Sequence, residues 1–287
     1  MTPEWLDRQE YPFEPHFFKT PAGNMHYVDE GAGDPIVFVH GNPAWSFEFR
    51  RPIRELSGTT RCIAPDLLGF GLSDKPAGWS YLPEEQTKNL DLFLESLSLE
   101  NITFVVGDWG GPIGLSYAIS HPEKVKNIVI TNTWLWSVRS DWYFQAFSAF
   151  MGGPLGRWLI WNRNFFAGTM MRSLFGDKNR LTPKIHEQYL MPLSKPEERK
   201  GCWVFPGQII GSSDWLGSLW DKRAVLEGKG ILIAWGMKDI GFREKELNIW
   251  MNAFPRAKVV RFEDAGHFIA EEKPDELISG IKNLIRG

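Results

Sequence analysis

Three side chains with complementary acid–base chemistry stand just past apolar, strand-like runs: Asp108 after Ile102 to Val106, Asp239 after Ile231 to Trp235, and His267 after Lys258 to Phe262. A carboxylate used as a nucleophile displaces a leaving group from an sp³ carbon and leaves an alkyl ester, whereas Ser would leave an ether that water does not readily cleave. A neighbouring His then activates water against that ester, and a second acid holds the imidazole in the right tautomer. Nucleophile, acid and His follow one another along the chain in the order of a triad built on a strand–turn–helix elbow. Gly110 and Gly111 supply the small neighbours such a turn needs. Taken alone, Asp108 could equally be the N-cap of the helix that follows. His16, His26, His121 and His186 read as surface residues. The loop His40-Gly41-Asn42-Pro43 follows the run Ile36 to Val39 and offers a backbone N–H to an oxyanion hole, with the residue after the nucleophile giving the other. Asn42 and Trp109 are therefore the expected backbone donors, and their side-chain N–H groups suit an anion beside Asp108.

These residues need a frame that presents them at one edge. Short β-branched runs, including Arg61 to Ala64 and Ile128 to Thr131 as well as those above, alternate with helical spacing over Glu84 to Leu97, Gly111 to Ser120 and Asp275 to Ile285. Strand–helix–strand alternation of this kind predicts an α/β fold, a mostly parallel central sheet flanked by helices, with functional residues at the carboxyl ends of the strands. The rhythm stops after Asn132. Helical pieces such as Tyr143 to Met151 and Pro183 to Leu190, with many Pro, Gly and aromatic residues between them, predict an inserted helical cap over 133–215 on a core of 1–132 and 216–287. Gly69-Phe70-Gly71-Leu72-Ser73 lacks the context of a phosphate cradle and reads as a structural turn.

Composition narrows the partners. Thirty-two basic against 35 acidic residues give a formal charge of −3, with no basic concentration to hold phosphates, so nucleic acid is not expected. No long apolar window and no basic–apolar leader stand out, and the chain reads as soluble, unexported and cytoplasmic, without a membrane partner. Cys62 and Cys202 read as reduced structural thiols rather than a disulfide or a metal site. Fourteen Trp and 20 Phe are many for a chain this size. Trp134, Trp136, Trp142, Trp158, Trp161, Trp203, Trp215 and Trp220 crowd the predicted cap, which suggests an apolar chamber or a contact between copies in a homo-oligomer.

At the motifs HGNP (40 to 43), DWGG (108 to 111), GMKD (236 to 239) and AGHF (265 to 268), the chain resembles the haloalkane dehalogenases of the α/β-hydrolase fold over nearly its whole length. The resemblance implies an enzyme needing no cofactor and no metal, which takes a small apolar halogenated substrate and water and releases alcohol, halide and a proton, as in detoxification. It implies Asp108 as nucleophile, His267 as base, and Trp109 with Asn42 as halide ligands. Relatives with that Asn often carry a Glu acid just after the strand before the cap. Here that position is Asn132, so the acid falls to Asp239, as in the less common subfamily. Gly107 departs from the longer polar residue many relatives carry. Epoxide hydrolases share the Asp nucleophile, but use two cap tyrosines, for which only Tyr143 and Tyr189 are available, and usually place a bulky apolar residue where Asn42 stands. A non-catalytic ligand-binding protein or a cofactor-free oxygenase on the same scaffold is the remaining alternative.

Overall fold

A computed structural model describes residues 3–286. Eight strands, β1 (His16–Thr20), β2 (Gly23–Glu30), β3 (Pro35–Val39), β4 (Arg61–Pro65), β5 (Ile102–Val106), β6 (Val125–Thr131), β7 (Gly230–Gly236) and β8 (Lys258–Phe262), form one sheet in the order β1-β2-β4-β3-β5-β6-β7-β8. β1 and β2 pair antiparallel, as do β2 and β4, and every other pairing is parallel. The central strands β3 and β5 are buried at every position, as expected where both faces carry helices. On β5, Ile102, Phe104 and Val106 enter one core cluster with helices Pro83–Ser96 and Gly110–Ser120, while Val105 enters the other with helices Arg50–Leu56 and Pro274–Arg286. The two-residue period of a strand thus fills two layers from one segment.

The hairpin β1–β2 has no counterpart in the sequence expectations. Its strands carry His, Lys, Asp and Glu among their apolar residues, and β1 lies at the sheet edge with mostly exposed side chains. His26 corrects the surface reading of the isolated histidines. It is fully buried, with Nδ1 2.8 Å from an Asp66 carboxylate oxygen. Asp66 also accepts the backbone N–H groups of Ser46 and Leu72, which ties β2 and the Ser46–Phe49 turn to the Gly69–Ser73 loop.

Between β6 and β7 the chain is helical, with Trp142–Gly152, Pro154–Arg163, Pro183–Leu190, Lys200–Gly211 and Ser213–Lys222 as its longer pieces. Helices Trp142–Gly152 and Lys200–Gly211 pack closely, with Gly152 against the backbone of Gly207. The expected cap edge at 215 falls inside helix Ser213–Lys222, whose Leu216 and Leu219 belong to the core cluster around helix Gly110–Ser120. Among the described residues no helix is long and apolar enough to cross a membrane.

Candidate active site

β5 ends at Val106, and the chain passes through Gly107 and Asp108 straight into helix Gly110–Ser120. Asp108 has φ of +46°, in the left-handed region that costs a non-glycine residue on the order of 1–3 kcal/mol. Its backbone is held there by its N–H donating to the Asn132 carbonyl at 3.0 Å and by the Thr133 hydroxyl donating to its own carbonyl at 2.5 Å. The close approach requires glycine on two sides. A Cβ on Gly41 would overlap the Asp108 carboxylate, and one on Gly110 would overlap the Val39 carbonyl. The helix N-cap is Trp109 and no side chain caps it, so capping does not account for Asp108. One carboxylate oxygen, Oδ1, accepts the Asn42 backbone N–H at 2.7 Å, and Oδ2 stands 3.9 Å from His267 Nε2. Burial raises the Asp108 carboxyl above its ordinary value, opposed by His267 and by the backbone N–H groups of Asn42 and Trp109.

His267 follows β8, its ring buried and stacked on Phe242 with centroids 5.8 Å apart. Its backbone N–H donates to the Leu174 carbonyl at 2.9 Å, which fastens the loop to the helical insert. Nδ1 lies 2.8 Å from Asp239 Oδ2. Asp239, just past β7, is buried too, and its Oδ1 accepts the Gly241 N–H at 2.7 Å. Burial pushes the imidazolium toward neutrality, but Asp239, Asp108 and Glu48 outweigh it and raise His267 to about 9. The flanking carboxylates thus favour the imidazolium.

The structure gathers all five residues singled out from the sequence around one cavity or directly behind it. A chamber of about 190 Å³ is bordered by Asn42, Asp108, Trp109 and His267 and closed by Trp134, Phe144, Phe166, Pro206 and Phe242. Asp239 stays behind the imidazole. Trp109 packs edge-on against Trp134 with centroids 4.6 Å apart, and against Phe205 at 5.1 Å. The Asn42 amide Nδ2 lies 3.4 Å from the Cys202 carbonyl, while its Oδ1 is buried without a partner among the described residues. Of the eight Trp residues expected to crowd a chamber or a contact, Trp134 alone borders this cavity. Trp136 and Trp220 pack with Trp250 elsewhere, and Trp142 and Trp158 are exposed.

Two residues at the site carry a part the sequence did not reveal. Asn132, noted only as unable to be the acid, donates Nδ2 to Asp239 Oδ2 at 2.9 Å and to the Gly236 carbonyl at 3.0 Å, and accepts the Gly236 N–H at 2.8 Å. It stands one residue past β6 while Asp239 lies three past β7, so adjacent parallel strands would have pointed to the pair. Glu48, in the turn after the HGNP loop, lines a small cavity together with His267 and Asp108.

Residues 34–274 match the family described as alpha/beta hydrolase fold. The chain is similar to haloalkane dehalogenase 2 of Mycobacterium tuberculosis, 37% identical over 277 residues that cover 96% of each chain. It is also similar to the cis-3-alkyl-4-alkyloxetan-2-one decarboxylase of Shewanella oneidensis, 36% identical over 96% of this chain and 89% of that one. Among solved structures, haloalkane dehalogenase DatA from Agrobacterium tumefaciens C58 superposes with a TM-score of 0.85 at 25% identity, covering 95% of this chain and 96% of that one.

Proposed function

Because the chain belongs to the haloalkane dehalogenase family of the α/β-hydrolase fold, we propose that it is a hydrolase of carbon–halide bonds working through an ester on Asp108. The observation that carries this reading is a carboxylate on a strained turn, facing an apolar chamber, with an imidazole 3.9 Å from its free oxygen. Oδ1 is engaged by the Asn42 N–H, so Oδ2 is the oxygen free to attack the carbon. The departing halide gathers charge in a dry site, where the indole N–H of Trp109 and the amide of Asn42 would stabilise it. In the ester, Oδ1 is the carbonyl oxygen, and the backbone N–H groups of Asn42 and Trp109 receive its charge when water attacks.

Ester formation also prepares the base. It cancels the Asp108 charge that helps hold His267 up at about 9, so the imidazole loses its proton more readily and takes one from water. Asp239, itself held by Asn132 and the Gly241 N–H, keeps the ring oriented through both steps. Release of alcohol, halide and a proton restores the resting site. We place the helical cap at 133–215 over a core of 1–132 and 216–287, because the insert supplies most of the apolar chamber wall.

A second reading is favoured by the near-equal identity to the oxetanone decarboxylase. A β-lactone ring carbon also carries a leaving group, its own carboxylate, open to the same displacement. Epoxide opening is disfavoured, since Tyr143 borders the chamber but the Tyr189 hydroxyl is engaged by Glu271 outside it. The deciding assay exposes the wild type to a panel of chloroalkanes, bromoalkanes, epoxides and cis-dialkyl β-lactones. Halide release from the haloalkanes supports the first reading. Alkene and carbon dioxide from the lactones, without halide turnover, would replace it with the second.

A further inference from the structure

Beside the nucleophile, distinct from the substrate chamber, lies a second and much smaller cavity of about 10 Å³, room for a single water. Asp108 and His267 border both spaces. The polar groups His40, Asn42, Glu48 and Thr131 also line the small one, beside Ala44, Phe49 and Phe268. Gly107 borders it as well, so the departure from a longer residue at that position helps keep the space open. The Thr131 hydroxyl is already committed, donating to the Val106 carbonyl at 3.0 Å, and His40 is engaged by Gly41 and Leu67. Glu48 is different. It is only partly buried and borders this cavity, and burial raises its carboxyl above its ordinary value. Among the described residues no hydrogen bond or ion pair engages that carboxyl, and its nearest charged neighbours include His267, Glu271, Asp108 and Arg50. A half-buried carboxyl that no protein group engages calls for a polar partner such as water.

We propose that Glu48 is a positioning residue that holds, in this cavity, the water that opens the ester on Asp108. This rests on the ester mechanism given above. The water donates one hydrogen to the Glu48 carboxyl and the other to His267 Nε2, so that its lone pair faces the Asp108 carbonyl carbon from the small cavity. The C–O bond to water forms as His267 takes one proton, the acyl C–O bond then breaks, and the alkoxide leaves as the alcohol on receiving that proton, while the second water hydrogen remains on the regenerated Asp108 carboxyl and passes to His267 as the carboxylate is restored. Glu48 itself ends as it began. Such an arrangement separates the two half-reactions in space, displacement from the chamber and hydrolysis from the small cavity.

The test compares wild type with E48M, which keeps length but deletes the acceptor, and E48Q, which keeps an acceptor oxygen. All three are followed in the full chain by rapid-quench halide release and intact mass with 1,2-dibromoethane, and their melting transitions are recorded. The halide burst should be unchanged in both variants. Ester hydrolysis should fall by about a hundredfold in E48M, the low end of what a positioned acid–base group contributes, with the Asp108 adduct accumulating. E48Q should recover it to within about tenfold of wild type. Wild-type hydrolysis in a folded E48M, or a burst that falls in step with hydrolysis in both variants, overturns the proposal. If E48M does not fold, E48A is judged by the same criteria. A wild type that forms no ester on Asp108 overturns the dehalogenase reading itself, and the role of Glu48 with it.

Discussion

Replacing Asp239 by Asn removes one charge from behind the imidazole while keeping the shape of the site. Oδ2 accepts two donors, the His267 ring at 2.8 Å and the Asn132 amide at 2.9 Å, whereas Oδ1 accepts only the Gly241 N–H at 2.7 Å. The single oxygen of the variant will face the pair, because the opposite rotamer sets donor against donor twice rather than once. The ring therefore stays in place and the charge alone is lost. Raising His267 from 6.5 to about 9 corresponds to roughly 3 kcal/mol of imidazolium stabilisation net of burial. Asp239 is foremost among the groups that produce it, so D239N should withdraw most of that stabilisation and slow ester hydrolysis by about two orders of magnitude. Displacement does not use the imidazole as a base and should change far less. Rapid-quench halide release resolves the two steps, and the expected trace is a full burst followed by slow turnover. Turnover at the wild-type rate, or a burst slowed as much as turnover, would refute the assignment of Asp239.

The remaining expectations concern the halide site and the pH response. Trp109→Phe keeps the ring and deletes the donor, and Asn42→Ala spares the backbone N–H. Each should slow displacement by up to about 2.7–4 kcal/mol, the range for losing one donor to a developing anion, while leaving ester hydrolysis less affected. Bromide titration should quench Trp fluorescence in the wild type and more weakly in Asn42→Ala; equal quenching would remove Asn42 from the halide site. The stability linked to His267 is fully present below its unfolded value of 6.5 and is lost as pH rises through about 9, since the folded state binds the proton more tightly. Chemical denaturation at pH 6 and pH 10 should therefore show the wild type losing roughly 3 kcal/mol more than His267→Phe across that interval. Parallel pH curves for the two proteins would mean that the imidazole is not paired as described.

The strands before Asp108, Asp239 and the HGNP loop were legible because parallel strands buried on both faces leave unbroken apolar runs, while β8, at the sheet edge before His267, shows only through Val259, Val260 and Phe262. The edge hairpin left no such trace, since His16, Lys19 and Asp29 are tolerated where one face meets solvent. His26 looked like an isolated polar residue because its partner Asp66 lies 40 positions away and meets it only across the β2–β4 pairing. The insert was legible as helical but not in its packing. A Trp in the insert reads the same whether it closes a chamber, as Trp134 does after β6, or faces outward, as Trp142 does. Asn132 meets Asp239, and Glu48 shares a cavity with Asp108 and His267, across long stretches of chain that only the folded strand order brings together.

The central claim is that Asp108 forms an ester that His267 is needed to open, and His267→Phe isolates that claim. The variant keeps an aromatic ring against Phe242 and removes only the base. After incubation with 1,2-dibromoethane, intact and peptide mass spectrometry should find the bromoethyl ester on Asp108 at close to one per chain, with halide release ending after the burst. Unmodified Asp108 together with continuing halide turnover would contradict the account.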